Sequence, residues 1–406
     1  GLEAFCKNVA SASIGVWELQ IGMQKGDGFQ RGGVITSSGL FTARPAVGDY
    51  IAVDKTMDCA DALDMAKDMK KSGLDTYAAY LSGGEWTVYV KDASVSAVEA
   101  AADENASRVS FEGVAITGGE APVLVPENAV MMGGNVADTF KLNSMPYRGM
   151  LTFSVNGSSM TGVNIIGLEE YLYGVVPSEM PKSYDAEALK AQGVAARTYA
   201  MTKLGAHTGS GYQLCDTTAC QVYKGYSNEA DATTAAVDAT AGEVACYNGS
   251  PIEAVFSAST GGYTESSENV WNTAVPYLKS VDSKGDRQAP NNETTVTIAA
   301  KALAERLGIA EDAAVSVKKR TEAGYVAEVQ AGSKTFSGRE IRERLGLRSA
   351  DFTIAKNGDS YIFTVHGYGH GAGMSQYGAS FLAEQGKNYH EILRHYYTGI
   401  SFSILE

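Results

Sequence analysis

The sequence predicts an α+β chain in two parts: a small β-α-β-β-α-β module, then a larger mixed α/β region with β-hairpins and an inserted α/β subdomain. Two patterns and one quantity predict this. Between residues 50 and 115 the apolar spacing switches repeatedly between period 2 and period 3.6. From about residue 125 a hairpin region leads into a well-capped helix and then several short strands. The length of 406 residues, at roughly 150 per domain, leaves room for two or three cores. With 44 % apolar and 20 % charged residues the composition is globular.

Residues 12–45 read as a strand-rich lead-in. Tyr50–Asp54 then gives a short strand, and residues 58–72 a helix whose Leu63, Ala66 and Met69 share one face before Gly73 stops it. The strand DTYAAYL, a Gly83–Gly84 turn, the alternating strand EWTVYVKD, a helix over SVSAVEAAADEN and the strand RVSFEGVA complete the module. That order builds a four-stranded sheet with two helices on one face. The Gly/Pro-punctuated stretch EGVAITGGEAPVLVPENAV carries the expected boundary. Beyond it, FKLNSMPYRGMLTFSVNGSSMTGVNII reads as hairpins with an Asn156–Gly157 turn. GLEEYLYGVV continues as strand or helix into a loop, PSEMP, and Asp185 caps a helix whose Leu189, Gly193, Ala196, Ala200 and Leu204 line one face.

Thirty-three Lys and Arg against 47 Asp and Glu leave a formal charge of −14, which would repel a phosphate backbone; no nucleic-acid partner is expected. No apolar run approaches the ~20 residues of a membrane span, and residues 1–25 lack a signal-peptide layout, although Gly1 is not a natural start. Forty-five Gly and 22 Tyr suit flat, polar ligands such as sugars.

Pro177-Ser178-Glu179-Met180-Pro181 sets one carboxylate between two prolines and beside an apolar run, surroundings that disfavour its charged form and suit a general acid. The segment His366 to Gly378, HGYGHGAGMSQYG, interleaves glycines with His, Ser, Gln and Tyr. Glycine at that density argues against a helical metal pair and for a loop that approaches a polar ligand. FSASTGGYTE, residues 256–265, is by itself a small-residue turn. Cys215 and Cys220 permit a disulfide or half of a zinc site, with His207 the one nearby imidazole, while Cys6, Cys59 and Cys246 read as buried thiols.

The blocks EEYLYGVVPSEMP, EALKAQGVAARTYA, CDTTACQVYKG, FSASTGGYTESSENVW, PYLKSV and HGYGHGAGMSQYGASFLAEQGKNYHEILRHYYTG resemble, in order, the stage II sporulation protein D family, which includes the amidase enhancer LytB. In fold and spacing residues 1–120 look like a SPOR-type peptidoglycan-binding module, with residues 121–406 as the catalytic domain and about 287–360 as its insert. The resemblance implies an extracytoplasmic lytic transglycosylase, secreted or membrane-anchored. It would cut peptidoglycan glycan between N-acetylmuramic acid and N-acetylglucosamine, preferring strands stripped of stem peptides, with a cell-wall amidase and scaffold proteins as partners. It carries the catalytic glutamate onto Glu179 and an important arginine onto Arg197, which would bind the muramic lactyl carboxylate or hold Glu179. Ser259, Thr260, His370, Ser375, Gln376 and Tyr377 become pocket residues. One carboxylate suffices for lytic chemistry, since the sugar's own 6-hydroxyl is the nucleophile. Some relatives place a His before the second Cys, where it helps bind a structural zinc; Ala219 stands there, so no metal or other cofactor is expected. Two other readings are a glycan-binding scaffold that enhances an amidase without cutting, and a hydrolase with a second carboxylate such as Glu169 or Glu265.

Overall fold

The computed structural model describes residues 9–11, 18–23, 32–36, 39–118, 121–127, 129–132 and 139–405. Cys6 and parts of the lead-in lie outside them. The chain forms two compact units, one of residues 1–179 and 203–229, the other of residues 180–202 and 230–406. This division does not coincide with the boundary expected at residue 120, because early strands pair with late ones. Glu18–Met23 pairs with Ser159–Gly167, and Val9–Ser11 with Ala129–Met132. Among the described residues no helix is long and apolar enough to cross a membrane.

In the first unit the expected β-α-β-β-α-β order is present as β1 (Gly39–Val53), α1 (Cys59–Lys71), β2 (Asp75–Ser82), β3 (Glu85–Lys91), α2 (Val95–Ala102) and β4 (Ala106–Thr117). The strand expected at Tyr50–Asp54 is the end of a longer one, since β1 pairs with β4 in unbroken register from Thr42↔Thr117 to Val53↔Ala106. Asp58 caps α1 by accepting from the Asp61 N–H, and Thr76 of β2 bonds back to the Ala66 carbonyl. One strand was not foreseen. Val123–Pro126, β5, falls in the presumed boundary, yet its Val-Leu-Val run is buried; it pairs parallel to β2 and antiparallel to β4. The sheet thereby closes around Tyr50, Tyr77, Phe111 and Leu124.

A second sheet in this unit carries the hairpin of β6 (Met150–Asn156) and β7 (Ser159–Gly167), turning at Gly157 with φ +57°. β7 runs without a loop into α3 (Leu168–Glu179).

The second unit is built on α4 (Ala186–Thr202), buried along most of its circumference. α5 (Asp231–Asp238) follows, and α6 (Ser267–Trp271) lies farther along the chain. The region of the expected insert has its own core, in which Leu303 of α7 (Ala300–Leu307) and Ile341 of α8 (Gly338–Leu345) meet Phe352 and Phe363. Strands Glu293–Ala299 and Ser360–His366 pair along their whole length and tie its two ends together. The helix α9 (Gln376–Glu384) follows the glycine-rich segment.

Candidate functional site

Glu179 is the last residue of α3, not part of a loop. Pro177 sits inside the final helical turn, so the expected PSEMP loop is corrected to a helix terminus followed by a short connection. Proline lacks the N–H that a helix interior uses. Side chains brace the turn around it: Ser178 Oγ donates to the Gly174 carbonyl at 2.6 Å and accepts from Asn228 Nδ2 at 2.9 Å. Gly174 has no alternative there, because a Cβ would overlap the Tyr223 ring.

Held this way, the half-buried Glu179 carboxyl receives the Val222 N–H on Oε1 at 2.6 Å. Burial pushes its pKa above the ordinary value, against the opposing pull of that N–H and of the exposed Lys224. The negative end of the α3 dipole adds to the bias toward the protonated acid. Among the described residues none bonds Oε2. Glu169 lies in the first turn of the same helix, ten residues back, about 15 Å along the axis. Paired glycosidase carboxylates stand roughly 5–9.5 Å apart, so the two do not form such a pair. Glu265 belongs to the second unit, where it is buried and accepts from Ser266 N–H, Asn269 Nδ2 and Thr321 Oγ1.

The donor atoms of His207, Cys215 and Cys220 lie within 4.8 Å of one another, and both thiols are free. The fold thus gathers three donors of the kind a structural zinc site uses, and Ala219, where some relatives carry a His, offers no ligand atom.

The second unit gathers the other motifs. Phe256–Ser257 pairs in parallel with Met374–Ser375, and Ser259 bridges to Tyr368, so FSAST and the glycine loop lie side by side. Gly373 (φ +69°) passes where a side chain would strike the Val255 carbonyl, and Gly371 (φ +82°) where one would strike the Tyr325 hydroxyl. Beneath the loop Asp286 is fully buried. Its Oδ2 accepts from Thr260 N, Thr260 Oγ1 and Ser283 Oγ, and its Oδ1 from Ser375 Oγ at 2.7 Å. The hydroxyls of Thr260 and Ser375 are thus spent inside the fold. Gln376 Nε2 donates to Gln192 Oε1 at 3.3 Å, and Tyr377 donates to the Gln288 carbonyl while packing edge-on against Tyr184. His370 accepts the Ala372 N–H on Nδ1 and lies against Trp271, its pKa lowered by burial to about 4; it is neutral at physiological pH.

Arg197 lies inside the second unit. It is 0 % exposed, and its guanidinium donates to the Glu243 carbonyl at 3.1 Å and the Val237 carbonyl at 3.4 Å, tying α4 to α5 and to the strand Glu243–Tyr247. These bonds brace the second unit. Sequence reasoning missed the Val222 N–H, the Asn228 brace and the Asp286 hub, because each acts on a partner tens of residues away. A lone Asp in KGDRQ carries no periodic or motif signal.

The sequence model of the stage II sporulation protein family matches residues 156–247. The chain is 42 % identical over 259 residues to stage II sporulation protein D of Bacillus subtilis (strain 168), covering 59 % of this chain and 76 % of that one. To the protein of the same name from Bacillus amyloliquefaciens it is 41 % identical over 264 residues, 61 % and 77 % of the two chains. It is also 35 % identical over 292 residues to the amidase enhancer of Bacillus subtilis (strain 168), covering 57 % of this chain but 40 % of that protein. The chain belongs to the stage II sporulation protein D family.

Proposed function

We propose that the chain is an extracytoplasmic peptidoglycan lytic transglycosylase that cleaves the bond between N-acetylmuramic acid and N-acetylglucosamine. The supporting observation is Glu179 itself: half-buried, its pKa raised by that burial, with one oxygen fixed by Val222 N–H and the other unbonded by any described residue. The proton on Glu179 passes to the leaving glycosidic oxygen as the muramic C1–O bond breaks. The carboxylate then takes the proton of the muramic 6-hydroxyl as O6 bonds to C1, closing a 1,6-anhydro ring and restoring the acid. No second carboxylate is required, in keeping with the distance of Glu169 along α3. We assign the β-α-β-β-α-β body of the first unit a SPOR-like, glycan-binding role.

Digestion of peptide-stripped peptidoglycan by the protein and by Glu179→Gln, with mass analysis of the fragments, tests the reading. Anhydro ends from the unmodified chain alone support it; reducing ends, or equal products from both, overturn it. The likeness to an amidase enhancer supports a second role, stimulation of a partner N-acetylmuramoyl-L-alanine amidase. That role predicts that Glu179→Gln still raises amidase turnover.

A further inference from the structure

The turn over residues 215–223 carries the backbone N–H that fixes Glu179, and both of its ends are anchored in the first unit. Leu214–Cys215 pairs in parallel with Glu18–Met23, and the Tyr223 hydroxyl donates to Asn164 Oδ1 of β7 at 2.9 Å. Between these anchors the Cys220 N–H reaches the Thr217 carbonyl and the Tyr223 N–H the Asp216 carbonyl, each at 3.1 Å. Val222, whose N–H bonds Glu179, stands two residues beyond Cys220.

Two free thiols lie at the neck of this turn. Cys215 is buried and its N–H reaches the Cys220 sulfur at 3.5 Å, while Cys220 is half-buried and follows the exposed Thr218 and Ala219. His207 Nε2 stands 3.3 Å from the Cys220 sulfur. A closed zinc shell takes a fourth donor, whereas a disulfide needs only the two sulfurs. The tip of the turn meets solvent and few backbone bonds hold it, so its local opening withdraws the Val222 N–H from Glu179. Linking residues 215 and 220 closes a ring of about six residues and depletes the open conformations by roughly 10- to 40-fold, through loop-closure entropy.

We propose that Cys215 and Cys220 are a thiol–disulfide pair whose closure holds the Val222 N–H on Glu179. The proposal deepens the reading above and rests on its extracytoplasmic placement, where thiols meet an oxidising environment. The oxidant is a disulfide, R–S–S–R. Cys220, the more accessible of the two, attacks as its thiolate, bonding to one sulfur of the oxidant as the first R–S⁻ leaves. The Cys215 sulfur then bonds to Cys220 and displaces the second R–S⁻. The two thiol protons end on the two released thiolates; the chain gives up two electrons and the oxidant takes them. Cys215 and Cys220 are then positioning residues that act on the acid through Val222.

The test compares the whole chain equilibrated with glutathione disulfide, the same chain in dithiothreitol, and the double variant Cys215→Ser, Cys220→Ser. After denaturation and alkylation, mass analysis of the oxidised sample finds the peptide holding both cysteines unlabelled and two hydrogens lighter, while Cys59 and Cys246 are labelled in both states. Amide hydrogen exchange at Val222 slows roughly 10- to 40-fold on oxidation and stays unchanged along α1 of the same unit. The double variant exchanges like the reduced chain in both buffers; should it fail to fold, the dithiol form supplies the same comparison. None of these readings involves glycan, so they stand even if the chain proves not to cleave it. Where it does cleave, reduction lowers turnover several-fold and leaves KM where it was. Full labelling of both thiols after glutathione disulfide overturns the proposal, as does a zinc ion that the purified chain retains and that shields them from oxidation. Exchange that slows equally throughout the unit would make the bond a general stabiliser and also overturns it, as does exchange at Val222, or turnover, that ignores the bond.

Discussion

Glu179 in the first unit and Asp286 in the second are both carboxyl groups whose pKa burial raises, and under the proposed function they serve opposite purposes. Asp286 is fully enclosed and accepts four hydrogen bonds, which oppose its desolvation and hold the strand ends carrying Thr260 and Ser375. Glu179 is only half-buried and receives a single backbone N–H. Desolvation alone does not mark an acid catalyst. The mark is desolvation with donors withheld and one oxygen left within a ligand's reach. A surplus of donors turns the same residue type into a framework post.

The sharpest way to break this contrast is substitution at both ends. Glu179→Gln should lower anhydro-product release by about 10²–10⁴-fold, the usual worth of a general acid. Because glutamine still accepts the Val222 N–H, its melting temperature should not fall at pH 7 and should rise. The sign follows from the raised pKa. A buried acid favoured as neutral contributes its full stability below the ordinary 4.5 and loses it as pH climbs through the folded value, and glutamine has no proton to lose. The gain should vanish near pH 4. A variant that is inactive because it is destabilised would contradict the assignment.

Asp286→Ala should do the reverse, leaving three hydroxyls and one N–H without their acceptor. Urea denaturation should show a loss on the order of 3–5 kcal/mol, at one to two kcal/mol for each donor that finds no other partner. Arg197→Ala comes next. It empties the volume of a buried arginine and frees two carbonyls, which should cost about 3 kcal/mol in the same experiment. Turnover per folded molecule should stay within a few-fold. A thousandfold loss of turnover with unchanged stability would restore the catalytic role the motif implies.

How much of this could be read from the chain follows the range of the forces. The β-α-β-β-α-β order, the hairpin at Gly157 and α4 with its Asp185 cap were legible because each is encoded within a few residues. The PSEMP segment was misread for a related reason. Proline rules describe a backbone in isolation, whereas here Asn228, fifty residues away, supports the Ser178 bond that stabilises the turn. β5 hid in a Gly/Pro-rich stretch because both its pairing partners come from earlier strands.

The smallest expected effect isolates the one charge acting on the acid from a distance. Lys224 is exposed and makes the Glu179 carboxylate slightly easier to form, so Lys224→Met should move the alkaline limb of the pH–rate profile upward by a few tenths of a pH unit. Raising the ionic strength should shift the unmodified protein the same way and leave the variant where it is, because salt screens an exposed charge that the variant no longer has. The Val222 N–H is in direct contact and escapes that screening. A salt-dependent limb that survives in Lys224→Met would mean that the field at Glu179 comes from a more distant set of charges.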